Sequence, residues 1–441
     1  MSGRRCANTA ALHSSVKETA VSSEWREQAA RDVLPVLPAR AHDLARLHRL
    51  VSCGEPVVTV IGKYNHGKSS LLNELIGRDT FAVSDKRETV ALADRLHEGV
   101  RWLDAPGLDA DVGAEDDRHA LQATWLQSDI RLFVHAAKEG ELDARELALL
   151  HALREDGART ARQTLFVLSQ VDQLASEHER EKIEQAVSAQ ANGLALNVVS
   201  STRHRKGREG GKALLLEKSG FPALNAALRA ALARIPQARA QETALLFGEM
   251  NGELRELRAV QAQTLERLHE TREREAENFS RGLRAVIDKV SADLEAMLNA
   301  LGEDHAAVPD HAKDHYGITA GKRERAHIQI AYSRACIEID SFLAGHGVIG
   351  LPAEQQTAAS SLNSVMIAVM GVSVKFRKDL RRMFGEAAGR ERLHRDFTHY
   401  FERSDDRRAQ AARIGEIEAA LSAAEKASNA LRELETRERA A

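Results

Sequence analysis

Short apolar runs alternate with amphipathic helical segments between residues 55 and 235. Each run has the length of a strand, and most are followed by a turn and then a helical pattern, which is typical of a mostly parallel α/β sheet. The runs cover residues 57–61, 101–103, 130–135, 164–169 and 196–200. Residues 90–96 can also pair with residues 100–103 across the turn Glu98-Gly99, so we expect one antiparallel strand here.

Helical periodicity replaces the strand pattern after residue 236. A long helix is predicted to extend to residue 301, with apolar positions recurring at steps of three and four. These positions are Phe279, Leu283, Val286, Val290, Leu294, Met297 and Leu301. They suit the core of a helical bundle, which we favour, and also a two-stranded coiled coil. Further helices are predicted over about 40–52, 319–344 and 354–384, and from about 404 to the end.

The composition supports a folded and largely helical chain. Of 441 residues, 43% are hydrophobic, 29% are charged and only 4% are aromatic, which permits a packed core and favours helix. The net charge of −3 indicates no particular partner, and the three cysteines have no metal-ligand or disulfide spacing. A secretory signal is lacking, and the apolar run 365–374 is about half the length of a spanning helix. We expect a cytoplasmic protein, either free or peripheral at a membrane, without a transmembrane helix.

A phosphate-binding loop follows the first strand. Residues 62–70 read Gly-Lys-Tyr-Asn-His-Gly-Lys-Ser-Ser, between the run 57–61 and a helical pattern. The glycines let several N–H groups face the phosphates at the positive end of a helix. Lys68 would contact the β- and γ-phosphates, and the Ser69 hydroxyl would coordinate Mg²⁺. The residues predicted to line the nucleotide here are Gly62, Lys63, Tyr64, Asn65, His66, Gly67, Lys68, Ser69 and Ser70.

Two further segments complete the predicted metal and γ-phosphate contacts. Asp104, in Asp-Ala-Pro-Gly, ends a strand and can hold Mg²⁺ through water, while Gly107 can direct its N–H at the γ-phosphate. Thr89 precedes the second strand and is predicted to complete the Mg²⁺ shell when the γ-phosphate is present, which makes its segment a switch. Thr80 is the competing candidate for that role. The predicted metal ligands are therefore Ser69, Thr89 and Asp104.

Asp172 is predicted to select guanine. Its carboxylate follows another strand and can accept hydrogen bonds from N1–H and the exocyclic amine of guanine, a donor pair that adenine lacks. Ser169 and Gln170 replace the first two residues of the usual guanine motif, Asn or Thr followed by Lys. Gln170 can lay its stem on the base but brings no cation, so we expect weaker affinity. Ser200 begins the segment predicted to offer a backbone N–H to guanine O6.

With these motifs, residues 55–235 resemble the G domain of the translation-factor-related GTPases, most of all the dynamin-like branch, with Era-type GTPases second. The similar segments are 62–77, 84–90, 104–107 and 219–224. The resemblance implies an α/β P-loop GTPase domain, with a mostly parallel sheet and one antiparallel strand, plus a large all-α helical bundle built from N- and C-terminal segments. The predicted domains are a helical segment over 1–52, the GTPase domain over 53–237 and the helical bundle over 238–441.

The same resemblance implies Mg²⁺-dependent hydrolysis of GTP to GDP and phosphate. Leu108 stands where Ras-like proteins have the water-orienting glutamine. Asn65 stands where potassium-stimulated members have an asparagine, so a K⁺ ion is expected to take the place of an arginine finger and to stabilise charge on the transferring phosphoryl group. The resemblance also implies a homodimer or oligomer, formed through the GTPase domain or the helical bundle, and K⁺-stimulated turnover is expected on dimerisation of the GTPase domain. The residues expected to act in catalysis are Lys68, Ser69, Thr89, Asn65 and Gly107.

The helical part leaves two functions open. The apolar residues 364–374 precede five basic residues within 375–382, which suits contact with an anionic bilayer or a buried bundle helix with a solvated basic end. In the first function, GTP drives assembly or remodelling of a helical stalk at a membrane, with contact near 345–384. In the second, an Era-type switch acts on a protein or on a ribosome or RNA partner. The net charge and the lack of a basic RNA-binding segment favour the first and argue against nucleic acid.

Overall fold

The computed structural model describes residues 25–52, 54–81, 93–105, 122–311 and 316–440. The chain divides into two compact units, the first made of Met1–Glu256 with Ala424–Ala441 and the second of Leu257–Ala423. The domain division predicted at residues 52 and 237 stays a prediction. Within the described ranges, no helix combines the length and the apolar character needed to cross a bilayer.

A six-stranded sheet lies at the centre of the described part of the first unit. Its strands are β1 (Val57–Ile61), β2 (Ala93–His97), β3 (Val100–Asp104), β4 (Ile130–Ala136), β5 (Gln163–Ser169) and β6 (Leu196–Val198). Their order is β2-β3-β1-β4-β5-β6, and β1 pairs Val58 with both Trp102 of β3 and Ile130 of β4. Strands β2 and β3 run antiparallel, and the other neighbours run parallel. The predicted α/β fold with one antiparallel strand is confirmed.

Helices cover both faces of this sheet, as a mostly parallel sheet requires. The helices of this part of the chain are α1 (25–33), α2 (Ala41–Ser52), α3 (Lys68–Ile76), α4 (Ala144–Thr160), α5 (Glu177–Ala191), α6 (Ser201–Glu209), α7 (Ala213–Glu217) and the start of α8 (Phe221–Ala300). Of these, α3 and α8 pack on one face of the sheet, and α4 and α5 on the other. Val60 lies in one core with Leu71 of α3 and Phe221 of α8, whereas the adjacent Ile61 lies in the opposite core with Leu150 of α4. Because both faces are buried at the centre of the sheet, all residues of β1 and β4 are buried, whereas the edge strand β2 is largely exposed.

Another core in the first unit is a bundle of helices that are distant in sequence. It contains α1, α2, part of α8 and the end of α13 (Asp405–Ala440). Leu47 of α2, Met250 of α8 and Leu431 of α13 are among its buried residues. We call this group the junction bundle, because it collects helices from before and after the sheet.

A buried ion network joins the junction bundle to the sheet. Arg46 of α2 donates from Nε and Nη2 to the two carboxylate oxygens of Glu242 on α8, each at 2.9 Å. Arg162, directly before β5, has its Nε 3.4 Å from the same carboxylate. Asp129, directly before β4, accepts from Arg239 of α8 at 3.0 Å and lies 3.4 Å from Nη2 of Arg46. Charges from two helices and two strand ends thus meet in a largely buried network, in which Arg239 is the most exposed of these side chains at 17%.

The second unit is a helical bundle. Its helices are the later part of α8, α9 (Ala320–Ala344), α10 (Val365–Met370), α11 (Arg377–Leu380), α12 (Ala387–Glu402) and the first part of α13. The predicted apolar seam of α8, from Phe279 to Leu294, packs in its core with residues of α9, α10 and α12. The ring of Phe279 stacks on that of Phe401 with centroids 3.9 Å apart. The bundle-core interpretation of the seam is confirmed.

The single helix predicted over about 354–384 is wrong. An antiparallel bridge joins Gly350 to Ser364, and Gly371 ends α10 with a φ of 78°. That left-handed conformation suits glycine and interrupts the helix, although the surrounding residues have helical propensity. Most of the apolar run is buried in the core of the second unit, whereas Val372 is 73% exposed.

Candidate functional site

The phosphate loop joins β1 to α3 and depends on two glycines. Gly62 has a φ of 153°, and a Cβ there would lie 2.2 Å from the backbone oxygen of Val134 on β4. Gly67 has a φ of 82° and precedes the first residue of α3, Lys68. The first position excludes any side chain, because the contact is with backbone that cannot rotate away. The loop therefore leads directly onto a helix amino terminus, where N–H groups and the helix dipole favour phosphate.

The residues at the start of α3 face the loop and the end of β3. Lys68 Nζ donates to the carbonyl oxygens of Gly62 at 3.0 Å and Lys63 at 2.8 Å. Ser69 Oγ donates to Asp104 Oδ2 at 2.6 Å. The structure thus brings together a loop cation, a hydroxyl and a carboxylate that the sequence places in separate motifs.

Ser69 and Asp104 fit a magnesium ion. Asp104 is buried, and its Oδ1 has no hydrogen-bond partner among the described residues. Burial raises the pKa of Asp104, although the hydrogen bond from Ser69 acts in the opposite direction. An unpaired buried carboxylate oxygen is costly, and such oxygens are the ligands that Mg²⁺ prefers. The other predicted groups, Thr89 and Gly107, lie outside the described residues.

The two unusual residues of the guanine motif contact the phosphate loop. Ser169 Oγ donates to the backbone oxygen of His66 at 2.6 Å. Gln170 has a φ of 60°, and its Nε2 donates to the backbone oxygen of Asn65 at 2.6 Å. Both residues therefore connect the end of β5 to the phosphate loop through hydrogen bonds. Sequence reasoning considered only their effect on the base.

The predicted base-binding residues lie close together. Ser200 Oγ donates to Asp172 Oδ1 at 2.6 Å, which orients the carboxylate assigned to guanine. The backbone N–H of Ser200 donates to the oxygen of Ser219 at 2.9 Å. The backbone N–H of Ser200 is therefore already used within the protein, and the donor to guanine O6 predicted for this segment stays a prediction.

Behind the phosphate loop lies a group of charged and aromatic side chains that the sequence did not reveal. Lys63 Nζ pairs with Asp143, the N-cap of α4, and lies 3.5 Å from Glu146 Oε2. His66 is 3% exposed and its ring meets that of His135 edge to face, with centroids 5.2 Å apart. Burial is the main cause that lowers the pKa of His66 to about 4, so its imidazole is neutral at neutral pH.

This arrangement can bind a nucleoside triphosphate and assist phosphoryl transfer. The loop N–H groups and the ammonium of Lys68 would hold the phosphates and offset their negative charge. Ser69 and Asp104 would hold Mg²⁺, which supplies further positive charge to the phosphate oxygens when bound. Asp172 would provide the carboxylate for the base.

Comparison with known proteins agrees with this chemistry. Residues 57–170 match the family model described as 50S ribosome-binding GTPase. GTPase Era of Bordetella avium is 28% identical over 155 residues, which cover 34% of this chain and 51% of Era. The chain therefore spans about half of the length of that relative.

The solved structure of LeoA, a bacterial dynamin GTPase from ETEC, is similar over 96% of this chain and 95% of its own. Its sequence identity is 13% and its TM-score is 0.31. A score this low supports no inference about function.

An uncharacterized protein of Acinetobacter baylyi matches nearly the whole chain. The two are 49% identical over 405 residues, which cover 92% of this chain and 97% of that protein. Together with the phosphate loop, the Ser69–Asp104 pair and the family match over residues 57–170, this makes the chain a GTP-binding P-loop GTPase that belongs to the same family as the Acinetobacter baylyi protein.

Proposed function

We propose that this GTPase couples GTP hydrolysis to the assembly or remodelling of its helical stalk at a membrane, as the dynamin-like resemblance implies. The supporting observation is the junction bundle, which collects helices from before the GTPase domain, after it and near the end of the chain. The ion network of Arg46, Asp129 and Glu242 links this bundle to the start of β4. A rearrangement of the GTPase domain therefore has a buried contact through which to act on these helices.

The proposed membrane contact lies within residues 345–384 of the second unit. Ile349 and Val372 are 64% and 73% exposed, and Lys375 and Lys378 are exposed nearby in sequence. Apolar side chains beside basic ones suit an anionic bilayer surface. Because most of the apolar run is buried, the contact is made by a few surface side chains and not by insertion of a helix.

Vesicle binding tests this role. Co-sedimentation and GTP turnover are measured with vesicles of phosphatidylcholine alone and of phosphatidylcholine with phosphatidylserine. We expect pelleting and faster turnover with the anionic vesicles, and a loss of both in Val372→Asp. Val260→Asp is the matched control, because Val260 is 63% exposed elsewhere in the second unit. Absence of pelleting both with and without GTP refutes the membrane role.

We also propose that turnover requires Mg²⁺ and is stimulated by K⁺ in a homodimer or larger oligomer. Ser69, Thr89 and Asp104 would hold Mg²⁺, and Asn65 would help to hold K⁺ beside the phosphates. We expect faster turnover in K⁺ than in Na⁺, with the difference lost in Asn65→Ala. Equal rates in the two salts at every protein concentration would contradict the potassium proposal.

A second candidate is a cytoplasmic Era-type switch that acts on a ribosome or another partner. The match to the family described as 50S ribosome-binding GTPase favours it. GTP-dependent co-sedimentation with large ribosomal subunits, in the absence of vesicle binding, would support this candidate over the membrane role.

A further inference from the structure

Three buried side chains meet behind the phosphate loop. His66 comes from the loop, His135 from the end of β4 and Glu146 from the first turn of α4, and each side chain is at most 5% exposed. One nitrogen or oxygen atom of each residue lies within 4.8 Å of those of the other two. Glu146 Oε1 is 2.8 Å from Nδ1 of His135 and 3.6 Å from Nδ1 of His66. Two imidazoles and one carboxylate therefore converge on one point.

These distances suit a tetrahedral metal centre. Ligands about 2.0–2.1 Å from a tetrahedral Zn²⁺ ion lie about 3.3 Å from each other. The two measured oxygen–nitrogen separations, 2.8 and 3.6 Å, lie on either side of that value. His66 Nδ1 also lies 3.4 Å from the carbonyl oxygen of Val134, so binding of a metal ion requires this nitrogen to exchange that contact for the ion.

The surroundings orient two of the three side chains for this role. His135 Nε2 is 3.0 Å from the carbonyl oxygen of Gly140, so this nitrogen donates its proton there and Nδ1 faces the cluster. Such a hydrogen bond to a backbone carbonyl is usual for a metal-binding histidine. Glu146 Oε2 accepts from the backbone N–H of Asp143 at 3.2 Å, which leaves Oε1 for the cluster.

We propose that His66, His135 and Glu146 form a binding site for a divalent transition-metal ion of the zinc type, with water as a fourth ligand. Imidazole nitrogens favour Zn²⁺, whereas the oxygen pair of Ser69 and Asp104 favours Mg²⁺, so the two sites differ in selectivity. The bound ion would tie the phosphate loop to β4 and α4. The competing account is a buried ion pair between His135 and Glu146 with no metal.

Metal titration of the full chain distinguishes these accounts. The nucleotide-free, chelator-treated protein is titrated with Zn²⁺ by calorimetry in a large excess of Mg²⁺, and Co²⁺ is used as a spectroscopic probe. We expect one Zn²⁺ ion per chain at this site and the visible absorption of tetrahedral Co²⁺. Glu146→Gln and His135→Gln should each weaken binding by at least about tenfold. His178→Gln replaces an exposed histidine of α5 and should leave binding unchanged.

The proposal fails if the wild-type chain binds no Zn²⁺, or if Glu146→Gln and His135→Gln bind it as tightly as the wild type. Circular dichroism establishes that the variants fold. Glu146 also belongs to the capping box of α4, so if Glu146→Gln fails to fold, His135→Gln carries the test. Vesicle binding has no part in the measurement, so its outcome is independent of the proposed membrane role.

Discussion

The ion network between the junction bundle and the sheet allows a stability prediction. The perturbation is Glu242→Gln, which keeps the size of the side chain and removes its charge. Glu242 is 1% exposed and is contacted by Arg46 and Arg162, whose side chains are 4% and 6% exposed. The substitution therefore leaves two buried guanidinium groups without their shared carboxylate.

The expected loss in the free energy of unfolding is about 3 kcal/mol. Removing one partner of a buried ion pair typically costs about 3–5 kcal/mol, because the remaining charge is uncompensated. The lower end applies here, since Arg46 still has Asp129 at 3.4 Å and Arg162 still has Asp156 at 2.9 Å.

Tryptophan fluorescence during urea unfolding reports on the first unit, which contains the ion network. The three tryptophans, Trp25, Trp102 and Trp125, all belong to the first unit. For an m-value of about 3 kcal/mol/M, a loss of about 3 kcal/mol lowers the urea midpoint by about 1 M. The matched control is Glu177→Gln, which breaks a pair with Arg180 at 3.1 Å in which the glutamate is 71% exposed.

We expect the control to stay within about 0.5 kcal/mol of the wild type, as exposed pairs contribute little. In the double variant Arg46→Met/Glu242→Gln the loss should be smaller than the sum of the single losses, because the two residues interact directly. If Glu242→Gln shifts the midpoint no more than the exposed control does, the network does not stabilise the first unit and the reasoning is refuted.

Four further substitutions test the phosphate loop, the loss of stability at acid pH, the core of the second unit and the contact predicted with the guanine base. Gly62→Ala should weaken GDP binding about a hundredfold in titration calorimetry, because the new Cβ meets the oxygen of Val134 and displaces the loop; unchanged affinity would contradict this. Burial alone would raise the pKa of Glu74, but hydrogen bonds from basic residues of α6 hold it below 4.5. The ionised carboxylate of Glu74 therefore stabilises the folded protein above pH 4.5, and this stabilisation is lost as the pH falls through the lowered pKa of the folded state. In Glu74→Gln, the urea midpoint of unfolding should therefore decrease less steeply as the pH is lowered than in the wild type. Phe279→Ala should destabilise the second unit by about 3–5 kcal/mol in denaturation followed by circular dichroism, and a loss under about 1 kcal/mol would argue against a packed core. Gln170→Lys should tighten GDP binding about twofold to fivefold in titration calorimetry, because it adds a cation at the base, and an unchanged or weaker affinity would contradict this.

Much of the nucleotide site could be predicted because its signals are local. Gly62, Gly67, Lys68 and Ser69 lie within one loop, where spacing fixes which groups face the phosphates. Asp104 is predictable from its position at a strand end and from the sequence Asp-Ala-Pro-Gly that it begins. The loop contacts of Ser169 and Gln170 could not be predicted, because they depend on the separation of β5 from the loop.

The sequence by itself determined the alternation of strands and helices, the antiparallel strand and the apolar seam of α8, because each follows from a local signal: a strand-length apolar run, a turn or a helical period of 3.6 residues. Only the tertiary structure decided that residues 354–384 do not form one helix, since a left-handed glycine and an antiparallel bridge break it. It also decided that His66, His135 and Glu146 converge and that Arg46 meets Glu242. These contacts join residues that are 11 to 196 positions apart in the sequence. A local pattern does not predict them, because only the folding of the chain brings such residues together in space.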